Sequence, residues 1–173
     1  MNVLVAVASS HGSTSSIGKR IGQRLSERGH DVHVRSVEAV HDVTGYDTVV
    51  IGSAVHGGEW LPSGSDFVRR HSGALQHRPV WLYSVSCVGS RGGVFADPVN
   101  RLLRSLRGET GQIKDFRAQL DVQDHRDFTG VVDKDHWPMS GRLVFRALTG
   151  RIGDHRDWND IDSWSDRIAI PDG

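Results

Sequence analysis

The chain has 173 residues, enough for one domain with a sizeable core, and its 21 Lys and Arg balance its 21 Asp and Glu for a formal net charge of zero. That balance removes any global electrostatic argument for nucleic acid or for an acidic partner. Cys87 is the only cysteine, which excludes an intramolecular disulfide and any cysteine-built metal or iron–sulfur centre.

Strands and helices alternate along the sequence. An apolar run, Val3 to Ala8, predicts a first strand over 2–8. Ile17, Ile21 and Leu25 recur every fourth residue, so a helix is predicted over 13–28, ending near Gly29. A second strand is predicted over 31–37, and a third over 47–53 from Thr48-Val49-Val50-Ile51-Gly52. A loop with Gly57, Gly58 and Pro62 leads to a helix near 63–77, and Pro-Val-Trp-Leu-Tyr-Ser-Val-Ser predicts a fourth strand over 79–86. A Gly-rich loop, 89–93, precedes a helix carrying Val99, Leu102, Leu103 and Leu106. Residues 108–127 carry little pattern, and a fifth strand is predicted near 127–133. Asp157 caps the last predicted helix, where Trp158, Ile161, Trp164 and Ile168 share one face, so both Trp residues read as core. Continuous apolar runs separated by helices imply a parallel sheet covered on both faces. We expect one domain over residues 1–173.

The first strand-to-helix loop carries the most information. Ser9, Ser10, His11, Gly12, Ser13 and Thr14 follow an abrupt end to the apolar run. Such a loop offers backbone N–H groups at a helix N-terminus, where the dipole favours an anion. Five of the six residues add side-chain donors, and none is Lys or Arg. This suits a phosphate held by hydrogen bonds. The alternative is a Ser-rich turn whose hydroxyls serve only as caps. Neither G-x-x-x-x-G-K-[ST] nor G-x-G-x-x-G follows the first strand, which argues against a P-loop and against a dinucleotide fingerprint. In an open doubly wound sheet the ligand lies at the carboxyl ends of the strands. Three loops rich in Gly or Ser fall there: 9–14, 54–62 and 87–93.

The ten histidines show no H-E-x-x-H or comparable spacing, so no metal site is expected. The N-terminus shows neither a basic n-region nor a long apolar stretch, which predicts a cytoplasmic location. Residues 136–153 contain no acidic residue and set Arg142, Arg146 and Arg151 beside Trp137, Leu143, Phe145 and Leu148. A basic amphipathic segment of this kind meets an anionic membrane surface or a hydrophobic, carboxylate-bearing substrate, or it simply covers the sheet.

These motifs resemble the flavodoxin-like family. The loop Ser9 to Thr14 is similar to that family's phosphate loop for flavin mononucleotide (FMN). Ile51-Gly52-Ser53-Ala54-Val55-His56-Gly57-Gly58 resembles the strand-three loop of the menaquinone-dependent protoporphyrinogen oxidase branch. Phe67-Val68-Arg69-Arg70-His71, Ser84-Val85-Ser86 and the ending Asp157-Trp158 before a helix are also similar to that branch. The resemblance implies an α/β three-layer sandwich with a five-stranded parallel sheet of order 2-1-3-4-5. It places the FMN phosphate on Ser9, Ser10, His11, Gly12, Ser13 and Thr14. Ser53, Ala54, Val55, His56, Gly57 and Gly58 would line one side of the isoalloxazine ring. Ser86, Cys87, Val88, Gly89, Gly92 and Gly93 would line the other.

Trp60 either stacks on that ring, faces solvent or packs in the core. His56 is the candidate catalytic residue, as a proton shuttle, and its alternative role is a loop histidine bonded to backbone. Cys87 reads as a packed residue, since no resolving cysteine exists. The 87–93 loop lacks the aromatic that electron-transfer flavodoxins often stack, which leaves a ring face open to a small-molecule partner. The resemblance therefore implies an FMN-dependent oxidoreductase that passes hydride equivalents from a reduced tetrapyrrole to a quinone. A non-enzymatic electron carrier and a deazaflavin-binding protein of the same fold are the alternatives. Peripheral attachment at the inner face of a membrane would follow from the 136–153 segment. The oligomeric state is not specified.

Overall fold

The computed structural model describes residues 1–91, 93–106, 109–133 and 150–168. In chain order these form β1 (Asn2–Ala8), α1 (Ser13–Glu27), β2 (Asp31–Ser36), a 3-10 turn (Val37–Ala39), β3 (Thr48–His56), β4 (Glu59–Trp60) and α2 (Pro62–Leu75). There follow β5 (Val80–Ser86), α3 (Asp97–Leu106), α4 (Gly111–Gln119), β6 (Val122–Thr129), β7 (Val131–Val132), β8 (Gly153–Asp154) and α5 (Trp158–Ile168).

The sheet runs β2-β1-β3-β5-β6, and each of those pairings is parallel. β4 folds back on β3 as an antiparallel appendage, with Val55 opposite Trp60 and His56 opposite Glu59. With that appendage set aside, the five parallel strands follow the expected order 2-1-3-4-5.

β1 is buried from Val3 to Ala8 because both faces of the sheet are covered. Its side chains alternate between two cores. Val3, Val5 and Val7 join Ile17, Ile21 and Leu25 of α1 and Ile161, Trp164 and Ile168 of α5. Leu4, Ala6 and Ala8 join Phe67, Val68 and Leu75 of α2 and Ile113 and Phe116 of α4. The sandwich is therefore α1 and α5, then the sheet, then α2 and α4. Each fully buried Ile or Leu of α1 contributes about 1.5–3 kcal/mol, so its apolar stripe, and not helix propensity, fixes the helix against the sheet. Ion pairs fasten α1 to α5 along its outer side: Arg20 to Asp162 at 2.6 Å, and Arg24 and Arg28 to Asp166 at 3.0 and 3.1 Å.

The C-terminal third departs from the sequence reading. The fifth strand occupies 122–129, earlier than the 127–133 predicted, and a helix at 111–119 precedes it. Asp157 does cap the last helix, accepting the Asp160 N–H at 3.0 Å. Trp164 is core, but Trp158 is 38% exposed and carries the Arg156 guanidinium over its ring, 4.5 Å from the centroid. Trp158 stands at the first position of the helix, where the sheet no longer covers it.

Candidate functional site

The strands β1, β3 and β5 end at one edge of the sheet, and a cavity of about 300 Å³ opens there. His11, Ser13 and Thr14 line it from the first loop and helix, and Ala54, Val55, His56 and Gly57 from the end of β3. Val85, Ser86 and Cys87 line it from β5, and Gly130, Val131 and Val132 from the chain beyond β6. All three sequence-predicted loops thus contribute. Val85, Gly130, Val131 and Val132 were not anticipated, the last three because the fifth strand was placed too late.

The first loop is built to leave a helix end open. Ser9 Oγ accepts the Gly12 N–H at 3.1 Å, which closes the turn. Gly12 adopts φ 87°, a left-handed conformation that glycine takes without a Cβ penalty. The helix bond from Ser16 N–H to Gly12 carbonyl (2.9 Å) follows directly, and no side chain caps the N-terminus of α1. The first-turn N–H groups of such a helix have no intrahelical acceptors, and the dipole adds positive potential. Gly130 packs against this turn. A Cβ there would stand 2.8 Å from Ser13 Oγ and 2.9 Å from Val85 Cγ1. Tyr83 reaches the same turn from below, its hydroxyl donating to the Thr14 carbonyl at 3.2 Å. Burial pushes that phenol well above its usual titration range.

Arg156 is a residue that the sequence reading missed. Its Nη1 donates to Ser16 Oγ at 2.5 Å, while Nε and Nη2 grip Asp154 at 2.8 and 2.5 Å. Hydrogen bonding from Arg156 holds the Asp154 carboxyl below its ordinary value. The available signal was weak: a lone Arg just ahead of a capped helix.

The second loop is a tight hairpin. Gly57 and Gly58 take φ 63° and 90°, the pair of positive values that a type I′ connection requires. His56 points across to His11, with ring centroids 6.2 Å apart and planes 26° from parallel. Ser53 and Trp60 lie beneath the cavity. Ser53 is buried, donating to the Ala54 carbonyl at 2.9 Å and accepting the Leu61 N–H at 3.0 Å. Trp60 is in the core, its ring 5.4 Å from that of Phe116 and its Nε1–H donating to Ser84 Oγ at 2.7 Å. The β3–β4 pairing turns it inward, so of its three sequence-stated environments the core is the one realised.

The third loop folds over β6 and, among its described residues, supplies Cys87 to the cavity wall. Gly89 N–H donates to Thr129 Oγ1 at 3.1 Å, and a Cβ on Gly89 would come within 2.6 Å of Thr129 N. Val88 bridges Gly93 across the loop. Arg91 Nε lies 3.4 Å from Asp160, a buried carboxylate that also takes Arg126 at 2.5 Å. Ser9, Ser10, Gly12, Gly58, Val88, Gly89 and Gly93 therefore shape the walls without lining them. Gly92, Arg142 and Arg146 lie outside the described residues. Arg151 is exposed, and its backbone N–H donates to the Val94 carbonyl at 2.7 Å.

Chemically the lining is mixed. Ser13, Thr14 and the first turn of α1 give it polar groups, and Ala54, Val55, Val85, Val131 and Val132 give it apolar surface. Among the described residues no acidic side chain lines it, and the ionisable ones that do are His11, His56 and Cys87. Such a lining suits a ligand that carries both an anion and a flat apolar body.

Comparison with known proteins agrees with this layout. Protoporphyrinogen IX dehydrogenase [quinone] of Escherichia coli K12 is 28% identical over 93 residues. Those residues are 53% of this chain, and the match spans about half of that relative's length (51%). A flavodoxin from the domain Archaea superposes with a TM-score of 0.61 at 13% identity, covering 98% of this chain and 96% of its own. A cysteine variant of flavodoxin from Pseudomonas aeruginosa gives 0.60 at 12% identity, covering 98% and 97%. Rubredoxin oxygen:oxidoreductase of Desulfovibrio gigas gives 0.57 at 14% identity, covering 97% of this chain and 35% of its own. At these identities the structures speak for the fold. The model of the flavodoxin domain itself matches residues 4–139, which take in the open helix terminus and all three loops, so this chain belongs to the flavodoxin domain family.

Proposed function

We propose that this chain holds FMN in the cavity at the strand edge and acts as a flavin-dependent oxidoreductase, with a quinone as electron acceptor and a reduced tetrapyrrole as donor. The observation that carries the reading is the N-terminus of α1, with Gly12 at its cap position, beside a cavity lined by both hydroxyls and apolar side chains. The cradle fits the group. Ser13, Thr14 and the first-turn N–H groups would take the phosphate, and Val55, Val85 and Val131 would flank the ring. The flavin, when bound, supplies hydride and single-electron chemistry. The protein's share is to bind, orient and control protons. His56, in the cavity wall, is placed to give or take a proton at that edge. Residues 87–93 contain no aromatic, so this loop offers no ring to stack on a planar acceptor. That absence, with the partial match to the E. coli dehydrogenase, favours the oxidoreductase over a pure electron carrier.

The test starts with what copurifies. An absorption band and mass of FMN are expected, and a deazaflavin mass would replace the cofactor while keeping the site. Each hydrogen bond to a charged phosphate contributes about 1.5–3 kcal/mol. Ser13→Ala with Thr14→Ala should therefore weaken FMN binding at least about tenfold by fluorescence titration. Photoreduced protein should be reoxidised rapidly by a soluble quinone. Slow reoxidation by quinone, with fast transfer to a ferredoxin-like protein, would establish the carrier instead.

The 136–153 segment belongs to the same reading as a contact for tetrapyrrole propionates or an anionic lipid surface. Each Arg near such a surface is worth about 1 kcal/mol. Changing Arg142, Arg146 and Arg151 to Gln should lower liposome binding or raise the tetrapyrrole KM while leaving FMN affinity unaltered. A triple variant equal to wild type in both assays would leave this segment without a binding role.

A further inference from the structure

A chain of polar contacts runs from the cavity hairpin across the α2–α4 face of the sheet to its β6 edge. Trp60 roots the hairpin that carries His56 and Gly57, and it is 3% exposed. Its Nε1–H donates to Ser84 Oγ at 2.7 Å. Ser84 Oγ lies 2.8 Å from His125 Nε2, and His125 Nδ1 lies 3.7 Å from Glu109 Oε1. Glu109 in turn takes Arg117 Nε at 2.8 Å. The Trp60 backbone N–H is held separately by Gln112 Oε1 at 2.8 Å.

The order serine, imidazole, carboxylate is that of a hydrolytic triad. Ser84, however, is 2% exposed and its oxygen already receives the indole N–H, so no acyl carbon can reach it. The arrangement has another consequence. Ser84 accepts from Trp60 and has one proton to give, and with neutral His125 that proton goes to Nε2. This requires the tautomer with the proton on Nδ1, the nitrogen 3.7 Å from the Glu109 carboxylate. A protonated imidazole presents Nε2–H instead. Ser84 Oγ then accepts from two N–H donors, and its own proton can no longer go to Nε2. Both lone pairs of Ser84 Oγ are then in use, so Trp60 shares its acceptor with a charged donor and its bond, the one that holds the hairpin, weakens.

We propose that Trp60 and His125 are positioning residues: through Ser84, the charge state of a buried imidazole sets how firmly the His56–Gly57 hairpin is held against the cavity. Burial lowers the His125 titration below the ordinary histidine value. Asp127 and Asp124 on its own strand and Glu109 ahead of α4 oppose that shift, Arg117 on α4 reinforces it, and β5 presents only Ser84. The firmly held state is therefore the one present at neutral pH, and it is lost on acidification.

The affinity readout rests on the flavin reading of the cavity, so a second readout is independent of it. The first is the FMN dissociation constant between pH 5 and 8.5. Wild type should lose affinity by about tenfold on acidification, the equivalent of one buried hydrogen bond. His125→Gln retains an acceptor for Ser84 and does not titrate. It should match wild type at pH 7.5 and lose the step. Trp60→Phe should bind about tenfold more weakly at neutral pH and also lose the step. The second readout is the Trp60 indole N–H resonance, identified among five by its absence in Trp60→Phe. It should shift with His125 titration in wild type and stay fixed in His125→Gln. An acid step that persists in His125→Gln, or an indole resonance indifferent to pH, overturns the proposal. Failure of every form to bind FMN, with the indole titration intact, overturns the flavin reading and leaves this relay standing.

Discussion

Gly130 shows how one hydrogen in place of a methyl can govern a site. It lines the cavity, and it leaves 2.8 Å between its missing Cβ and Ser13 Oγ. Gly130→Ala must push Ser13 aside or shift Val85. Overpacking of this kind costs about 1–3 kcal/mol. FMN affinity should fall together with the urea midpoint, and a variant that binds as tightly as wild type would show that the place of Ser13 is immaterial. Ser13 itself was legible in the sequence, because a hydroxyl-rich loop between a strand and a helix has few uses. Gly130 was not. Nothing in Phe-Thr-Gly-Val-Val says that the glycine faces a loop more than a hundred residues earlier.

At the scale of elements, legibility follows burial. β1, β3 and β5 lie inside the sheet, and their unbroken apolar runs announced them. β6 is an edge strand and reads Val-Gln-Asp-His-Arg-Asp-Phe-Thr, which looks like a surface loop. Its polar residues have partners supplied by the fold: Asp124 takes Trp164 Nε1, Arg126 takes Asp160, and His125 meets Ser84. α4 likewise buries little beyond Ile113 and Phe116, too short a stripe to set a period. The joint between α1 and α5 makes a prediction about acid. Arg20 grips Asp162 with two hydrogen bonds, 2.7 Å to Oδ1 and 2.6 Å to Oδ2, and these hold the Asp162 carboxyl below its ordinary value. A carboxyl depressed on folding adds stability above the unfolded value, about 3.9, and gives it up as the pH falls through the folded one. Thermal midpoints should therefore drop more steeply below about pH 4 in wild type than in Asp162→Asn. Parallel curves would mean that this pair adds nothing.

For the molecule as a whole, ligand and fold share one free energy. The cavity is walled by the ends of the central strands and by α1, so binding favours only the folded chain. At a free FMN concentration one hundred times the dissociation constant, this linkage adds about 2.7 kcal/mol. For a domain of this size each kcal/mol raises the melting temperature by about 2–4 °C, so a rise of about 5–11 °C is expected in calorimetry. Riboflavin, which lacks the phosphate, should give a smaller shift, since it leaves the helix terminus unused. An equal shift with riboflavin would remove the phosphate from the argument.

Tyr83 carries a consequence for how this sequence can drift. Its ring fills the space that a side chain at Gly52 would need, where a Cβ would fall 1.8 Å from Cζ. A Cβ at Gly18 would stand 2.7 Å from the Tyr83 hydroxyl, the same hydroxyl that holds the first turn of α1. The three positions come from three different elements and occupy one volume. A larger residue at Gly52 is tolerable only after Tyr83 has shrunk, and a smaller residue at Tyr83 opens a void until Gly52 or Gly18 has grown. Descendants of this chain must therefore change these sites in a fixed order or leave them alone. Any lineage that trades the tyrosine away also resets the helix end on which the anion would rest.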